Sequence, residues 1–100
     1  MSEVITDNAQ RWLNAISFAE GTRRADGSRG YNIMYGGGTF DNFGRHPDTV
    51  IQGGSGSPNS AAAGAYQFMP ATYDAAAKAL GLTDFGPSSQ DRAALQLMRW

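Results

Sequence analysis

Helically spaced apolar residues at both ends of the chain, and a glycine-rich, strand-prone middle, predict an α+β fold: mostly helical, with a small β-hairpin lobe. Ile5, Ala9, Trp12, Leu13 and Ile16 form one stripe near the N-terminus. Tyr73, Ala76, Ala77 and Leu80, and then Ala94, Leu97 and Met98, form two more near the C-terminus. Eleven of the 13 glycines lie between Gly21 and Gly64, where no long helical stripe occurs. A chain of 100 residues reads as one domain, 1–100, able to bury a core without much redundancy.

In the first helix, Asp7 followed by Gln10 resembles a capping box and predicts a start near Asn8. The helix is expected to run to Ala19 or Glu20, where Gly21 ends it in a left-handed conformation. Thr22 to Gly30 reads as a polar loop. Tyr31 to Tyr35 is rich in strand formers, Gly36 to Gly38 supply a turn, and Thr39-Phe40 return as a second short strand. Asp41 to Ser60 is mostly loop. Its tract Gln52 to Ser60 is linker-like in composition, but the flanking segments are too small to fold alone, so it is read as a mobile loop within one domain. Helical structure is expected to return at Ala61, with Pro70 at a first helical position and Gly81 closing the helix. Ser88 and Asp91 form a second capping box ahead of the last helix. That helix reaches Trp100 in an apolar pattern without a terminating glycine or proline, which reads as a chain cut inside a longer domain.

Composition narrows the function classes. A net charge of −1 gives no sign of electrostatic capture of nucleic acid or anionic lipid. With no cysteine there is neither a disulfide frame nor a thiolate metal site. No run approaches the roughly 18 apolar residues of a membrane span. The N-terminus carries no basic-then-apolar signal sequence.

The residue that carries chemistry is Glu20. It lies one turn beyond Ile16 on the apolar stripe and at the helix end. Apolar surroundings and the negative helix terminus both disfavour the anion, as a general acid requires. The same pattern also fits a surface glutamate at a frayed end. At Gly64 to Thr72 a glycine-led turn enters a helix; Tyr66 could stack on a sugar and Gln67 could bond its hydroxyl or acetamido groups, or both could simply pack and cap the helix start. His46 is the only histidine, so a metal site is not expected, and it reads as a hydrogen-bonded loop residue beside Pro47. The glycine runs lack a P-loop lysine and read as turns. Arg23, Arg24, Arg29 and Arg45 solvate the loop region or meet carboxylates of an anionic polymer. Of two glutamates and seven aspartates, Glu3 is near the chain end, and Asp41 and Asp48 lie where a second glycosidase carboxylate would belong without a supporting motif. One well-placed acid favours chemistry in which a single residue serves as acid and then base.

The segments A-E-G-T at Ala19 to Thr22, G-Y-N-I-M-Y-G-G at Gly30 to Gly37 and F-D-N-F-G-R-H-P at Phe40 to Pro47 come in order. A-G-A-Y-Q-F-M-P at Ala63 to Pro70 and A-L-G-L-T-D-F-G-P-S-S-Q-D at Ala79 to Asp91 follow. Together, from about Trp12 to Met98, they resemble the lambda-type endolysins, lytic transglycosylases of the lysozyme superfamily. The resemblance implies a lysozyme-like fold whose hairpin lobe forms one lip of a cleft. It implies cleavage of the MurNAc–GlcNAc β-1,4 bond of peptidoglycan glycan strands, without water or cofactor, leaving a 1,6-anhydro end. The family's catalytic glutamate falls on Glu20, its Gly-x-Tyr-Gln turn on Gly64, Tyr66 and Gln67, and its lip on Tyr31. Thr22 and Gln67 are expected to orient Glu20 or the N-acetyl group, and Tyr31 and Tyr66 to stack on sugars. Family members carry a further C-terminal portion that this chain lacks. Phe68 to Ala71 look more like the wider soluble transglycosylases and phage-tail lysozyme modules. Two settings follow: a lysin made in the host cytoplasm without a signal peptide and acting in the periplasm or cell wall, or one carried in the virion with other phage proteins. The rivals are a hydrolytic muramidase using Asp41 or Asp48, and a non-catalytic glycan-binding module of the phage particle.

Overall fold

In a computed structural model the described residues are 5–100, and Glu3 lies outside them. They contain α1 (Asp7–Ala19), α2 (Pro70–Leu80) and α3 (Pro87–Arg99). The segment between α1 and α2 is held by single β-bridges and turns. None of the described helices is long and apolar enough to cross a membrane.

The cap of α1 is Thr6, not the Asp7–Gln10 box: the Thr6 hydroxyl accepts the Ala9 N–H at 3.2 Å. Gln10 is drawn elsewhere, its side-chain oxygen accepting from Arg29. Leu13 and Ser17, one turn apart, are the helix's buried residues. Trp12 sits about 100° round the axis from Leu13, so it misses that face and is 60% exposed. Gly21 ends α1 as expected, at φ +74°. Its N–H donates to Phe18 O at 3.1 Å and that of Thr22 to Ser17 O at 3.0 Å, a Schellman closure.

The expected β-hairpin is present in reduced form. Ile33 bridges Thr39, and Phe40 N donates to Asn32 O at 3.0 Å. Tyr35 leaves the strand and opens a 3₁₀ turn, Tyr35–Gly37. Met34 also bridges Ala63, so the lobe is tied to the chain ahead of α2. The polar loop after Thr22 folds back on itself through an Arg23–Arg29 bridge, with Asp26 accepting the Ser28 N–H and hydroxyl at its tip. The linker-like tract closes in the same way, through paired bonds between Ile51 and Ser60 of 2.8 and 3.0 Å.

Helix does not resume at Ala61. Ala63 pairs with both Met34 and Phe68, and Gly64 and Gln67 have positive φ, so residues 61–69 form a bridged turn and α2 starts at Pro70. The α3 start also differs from expectation. Gly86 is the cap position and Pro87 the first helical residue. Asp84 Oδ1 accepts from Gly86 N and Ser89 Oγ, and these bonds hold its carboxyl below the usual range. Asp91 turns inward instead of capping.

The core gathers Leu13, Phe40, Ala63, Ala65, Phe68, Tyr73, Ala76, Phe85, Ala93 and Ala94. Phe85 is fully buried and meets the Tyr73 ring edge-on at 4.6 Å and Phe68 at 6.2 Å. Alanine on α2 and α3 lets the helices approach these rings closely. Met98, expected on the buried stripe, is 46% exposed, because the α3 stripe turns toward Gln90 and Asp91 at its other end.

Candidate active site

Glu20 is the C-cap residue of α1, its N–H donating to Ile16 O at 2.8 Å. Its helical bearing is close to that of Leu13 and Ser17, but it lies past the edge of the core and is exposed. The apolar enclosure expected from the sequence is therefore absent, since a stripe predicts direction and not what covers its end. Among the described residues no hydrogen bond or ion pair engages its carboxylate.

The backbone beneath Glu20 is closely held. Thr22 is 1% exposed. Its hydroxyl pairs with Ser17 Oγ at 2.8 Å and donates to Ala65 O. The Thr22 hydroxyl is thus engaged by Ser17 and Ala65, and it pins the helix end to the Gly64–Gln67 turn. Gly64 needs its φ of +87°, and a Cβ there would run into Gln90 Oε1 and come within 2.9 Å of Phe85 Cζ. Gln67, itself at φ +50°, donates its amide to Ile33 O at 3.0 Å and Gly64 O at 2.8 Å, joining lip to turn.

The structure corrects the stacking role expected for Tyr66, which is buried. Tyr66 is 6% exposed, its ring edge-on to Tyr31 and Phe68. Tyr31 is half-buried. Both hydroxyls donate to Asp91 Oδ1, that of Tyr31 at 2.8 Å. Burial, and for Tyr66 next its bond to Asp91, pushes both phenols up, so they stay neutral. The two rings meet edge-on at 6.3 Å, and Tyr66 backs the apolar groove reached by Ile16.

An apolar groove of about 370 Å³ is lined by Ile16, Tyr66, Gln67, Met69, Leu97 and Met98 among others, and reaches α1 one turn before Glu20, which does not line it. A larger cleft of about 580 Å³ lies between the Gly44–Asp48 loop and α2. Asp48 lines that second cleft, and Asp41 is exposed after the lip. His46 is buried against Phe85 at 4.8 Å. Its Nε2 donates to Phe68 O, and its Nδ1 accepts from Asp48 N, a structural role. No three His, Cys, Asp or Glu residues cluster for a metal among the described residues. Of the four loop arginines, Arg24 bonds Asn32 and Arg29 is drawn inward.

Sequence reasoning missed Gln90 and Asp91. Gln90 is fully buried; its amide donates to Tyr31 O and Phe85 O, and its oxygen accepts from Ala65 N. The signal was available: stepping back four and three residues from Ala94 on the apolar stripe lands on these two polar residues.

The endolysin family profile matches residues 10–100. The chain belongs to the endolysin family. It is 34% identical to the endolysin of Escherichia phage lambda, over 95% of this chain and 61% of that protein. The fold matches bacteriophage lambda lysozyme solved with a chitohexasaccharide, at TM-score 0.85 and 32% identity, covering 99% of this chain and 65% of that one. A second structure of the lambda lysozyme matches at TM-score 0.83. This endolysin-family chain therefore has the lysozyme-like fold and spans about three fifths of the length of these relatives.

Proposed function

We propose that this chain is the Glu20-bearing part of a peptidoglycan-degrading lytic transglycosylase. Glu20 protonates the glycosidic oxygen between MurNAc and GlcNAc, and the C1–O bond breaks. The resulting carboxylate takes the proton from the MurNAc C6 hydroxyl as its oxygen bonds to C1. One proton leaves Glu20 and one returns, no water is consumed, and the product is a 1,6-anhydro ring. We further place its action at the cell wall of a phage host.

The observation that carries this reading is the placement of Glu20. Its carboxylate stands open at a helix end whose backbone is clamped by Gly21, Thr22 and Ala65, one turn beyond Ile16, which lines the apolar groove together with Tyr66 and Gln67. A sugar seated over the helix end displaces water from it. Family membership, and the likeness to a lysozyme solved with a chito-oligosaccharide, support a glycan in that place.

The test pairs product analysis with Glu20→Gln. Muropeptides from digested sacculi should carry 1,6-anhydro ends; reducing MurNAc ends would overturn the transglycosylase step and turn attention to Asp41 or Asp48 as a water-positioning base. Glu20→Gln should lower cleavage by roughly 10²–10⁴. Because Glu20 is exposed and engages no partner, the melting temperature should barely move.

A further inference from the structure

Asp91 is a buried carboxylate on the inner face of α3, and three groups from two other segments converge on it. Oδ1 accepts the hydroxyls of Tyr31 and Tyr66, and Oδ2 lies 3.6 Å from Arg29 Nη1. The side chains of Arg29 and Asp91 are 11% and 12% exposed. The same guanidinium donates to Tyr31 Oη at 3.2 Å, to Asn14 Oδ1 at 3.0 Å, and to Gln10 O and Oε1 at 3.1 and 2.7 Å. Gln10 and Asn14 are one turn apart on α1. The Arg29–Asp91 pair is therefore a junction of α1, the lip, the Tyr66 turn and α3.

Burying such a pair costs desolvation that its attraction often only offsets, so its presence is a weak argument for stability and a better one for geometry. We infer that Arg29 and Asp91 are positioning residues that set where the Glu20 carboxylate stands relative to the lip and turn. This rests on the proposed role of Glu20. The route is continuous: Asp91 holds Tyr66, Gln90 beside it holds Ala65 N, Ala65 O accepts from Thr22, and Thr22 closes the helix end at Glu20. Arg29 holds the other side by fixing the same helix at Gln10 and Asn14.

The planar fork of arginine engages Asn14, Gln10 and Asp91 together; a lysine keeps the charge but cannot span all three. Arg29→Lys is thus the decisive variant, with Asp91→Asn, which still offers an oxygen to both tyrosines, beside it. Three quantities are read on the folded chain: the melting temperature, the NMR signals of the Glu20 side-chain carboxyl carbon and the Gly21 and Thr22 amides, and kcat and KM on glycan strands. Arg29→Lys should keep its melting temperature within a few degrees and yet shift or split the Glu20, Gly21 and Thr22 signals. It should lower kcat roughly tenfold to a hundredfold, with KM within about twofold. Unchanged Glu20, Gly21 and Thr22 signals, with perturbation confined to groups touching residues 29 and 91, overturn the inference even if Asp91→Asn fails to fold. The spectra need no turnover. If the parent chain itself cleaves no glycan while Arg29→Lys displaces the Glu20 signals, the positioning role stands and the transglycosylase reading falls.

Discussion

Replacing Gly64 by alanine tests whether the turn behind Glu20 is built on space as well as on conformation. At φ +87° an L-residue costs roughly 1–2 kcal/mol. Gly21, at φ +74°, bears the same conformational demand, but a Cβ there meets nothing within 4 Å. Gly21→Ala therefore isolates the backbone cost. At position 64 the Cβ would press on Gln90 Oε1 and on Phe85, both fully buried. Overpacking of that kind typically costs about 1–3 kcal/mol. If Gln90 yields, Ala65 N loses its acceptor at 2.9 Å, and a buried unpaired N–H costs about 1–3 kcal/mol. Gly64→Ala should thus lose roughly 3–8 kcal/mol, about 2–6 more than Gly21→Ala. For a domain of this size the excess corresponds to a Tm difference of about 8 °C or more. Urea denaturation should show the midpoint falling at constant slope. Stability losses for the two variants within about 1 kcal/mol of each other would refute the reasoning, because they would mean that Gln90 and Phe85 do not bear on Gly64.

Thr22→Val keeps the shape but removes the hydroxyl bonded to Ser17 and Ala65; thermal unfolding should show a loss of roughly 1–3 kcal/mol, and Thr22→Ser should recover most of it. The hydrogen bonds from Gly86 N and Ser89 Oγ hold the Asp84 carboxyl below 3.8, so its contribution is present above that pH and is lost as pH falls below it; in a pH series of melting curves, Asp84→Asn should flatten the acid limb. Burial, then the Asp84 charge, pushes the Tyr73 phenol up from 10.0 to about 12, so stability should fall as pH rises between these values, and less steeply in Tyr73→Phe. An alkaline limb identical in the two proteins would contradict that assignment.

The site was legible where its chemistry is local. Glu20, Gly21 and Gly64 stand out because a helix end, a left-handed closure and a glycine-led turn are each written in a few neighbouring residues. Tyr31 and Tyr66 were recognisable as important side chains, but not as partners of Asp91. Whether a tyrosine hydroxyl meets a sugar or Asp91 depends on a helix 60 or 25 residues away. The capping boxes failed for a related reason. Gln10 and Asp91 have local uses available, but a largely buried guanidinium, a buried phenol and a half-buried one have a stronger need for partners, because an unmatched polar group in the core costs more than a missing cap at the surface.

The apolar spacing within residues 7–19, 70–80 and 87–99 determined three helices and part of the face each buries: Leu13, Tyr73, Ala76, Ala77 and Ala94 are buried, while Trp12 and Met98 are not. Only the tertiary structure decided how much of the middle is strand, because a β-bridge needs a partner supplied by another segment, as Ala63 is for Met34. It also decided that Glu20 stands exposed while Asp91 is buried. Spacing gives a side chain its bearing on the helix, but burial depends on what the rest of the chain places opposite: Tyr31, Tyr66 and Arg29 close over Asp91, and no described side chain engages the Glu20 carboxylate.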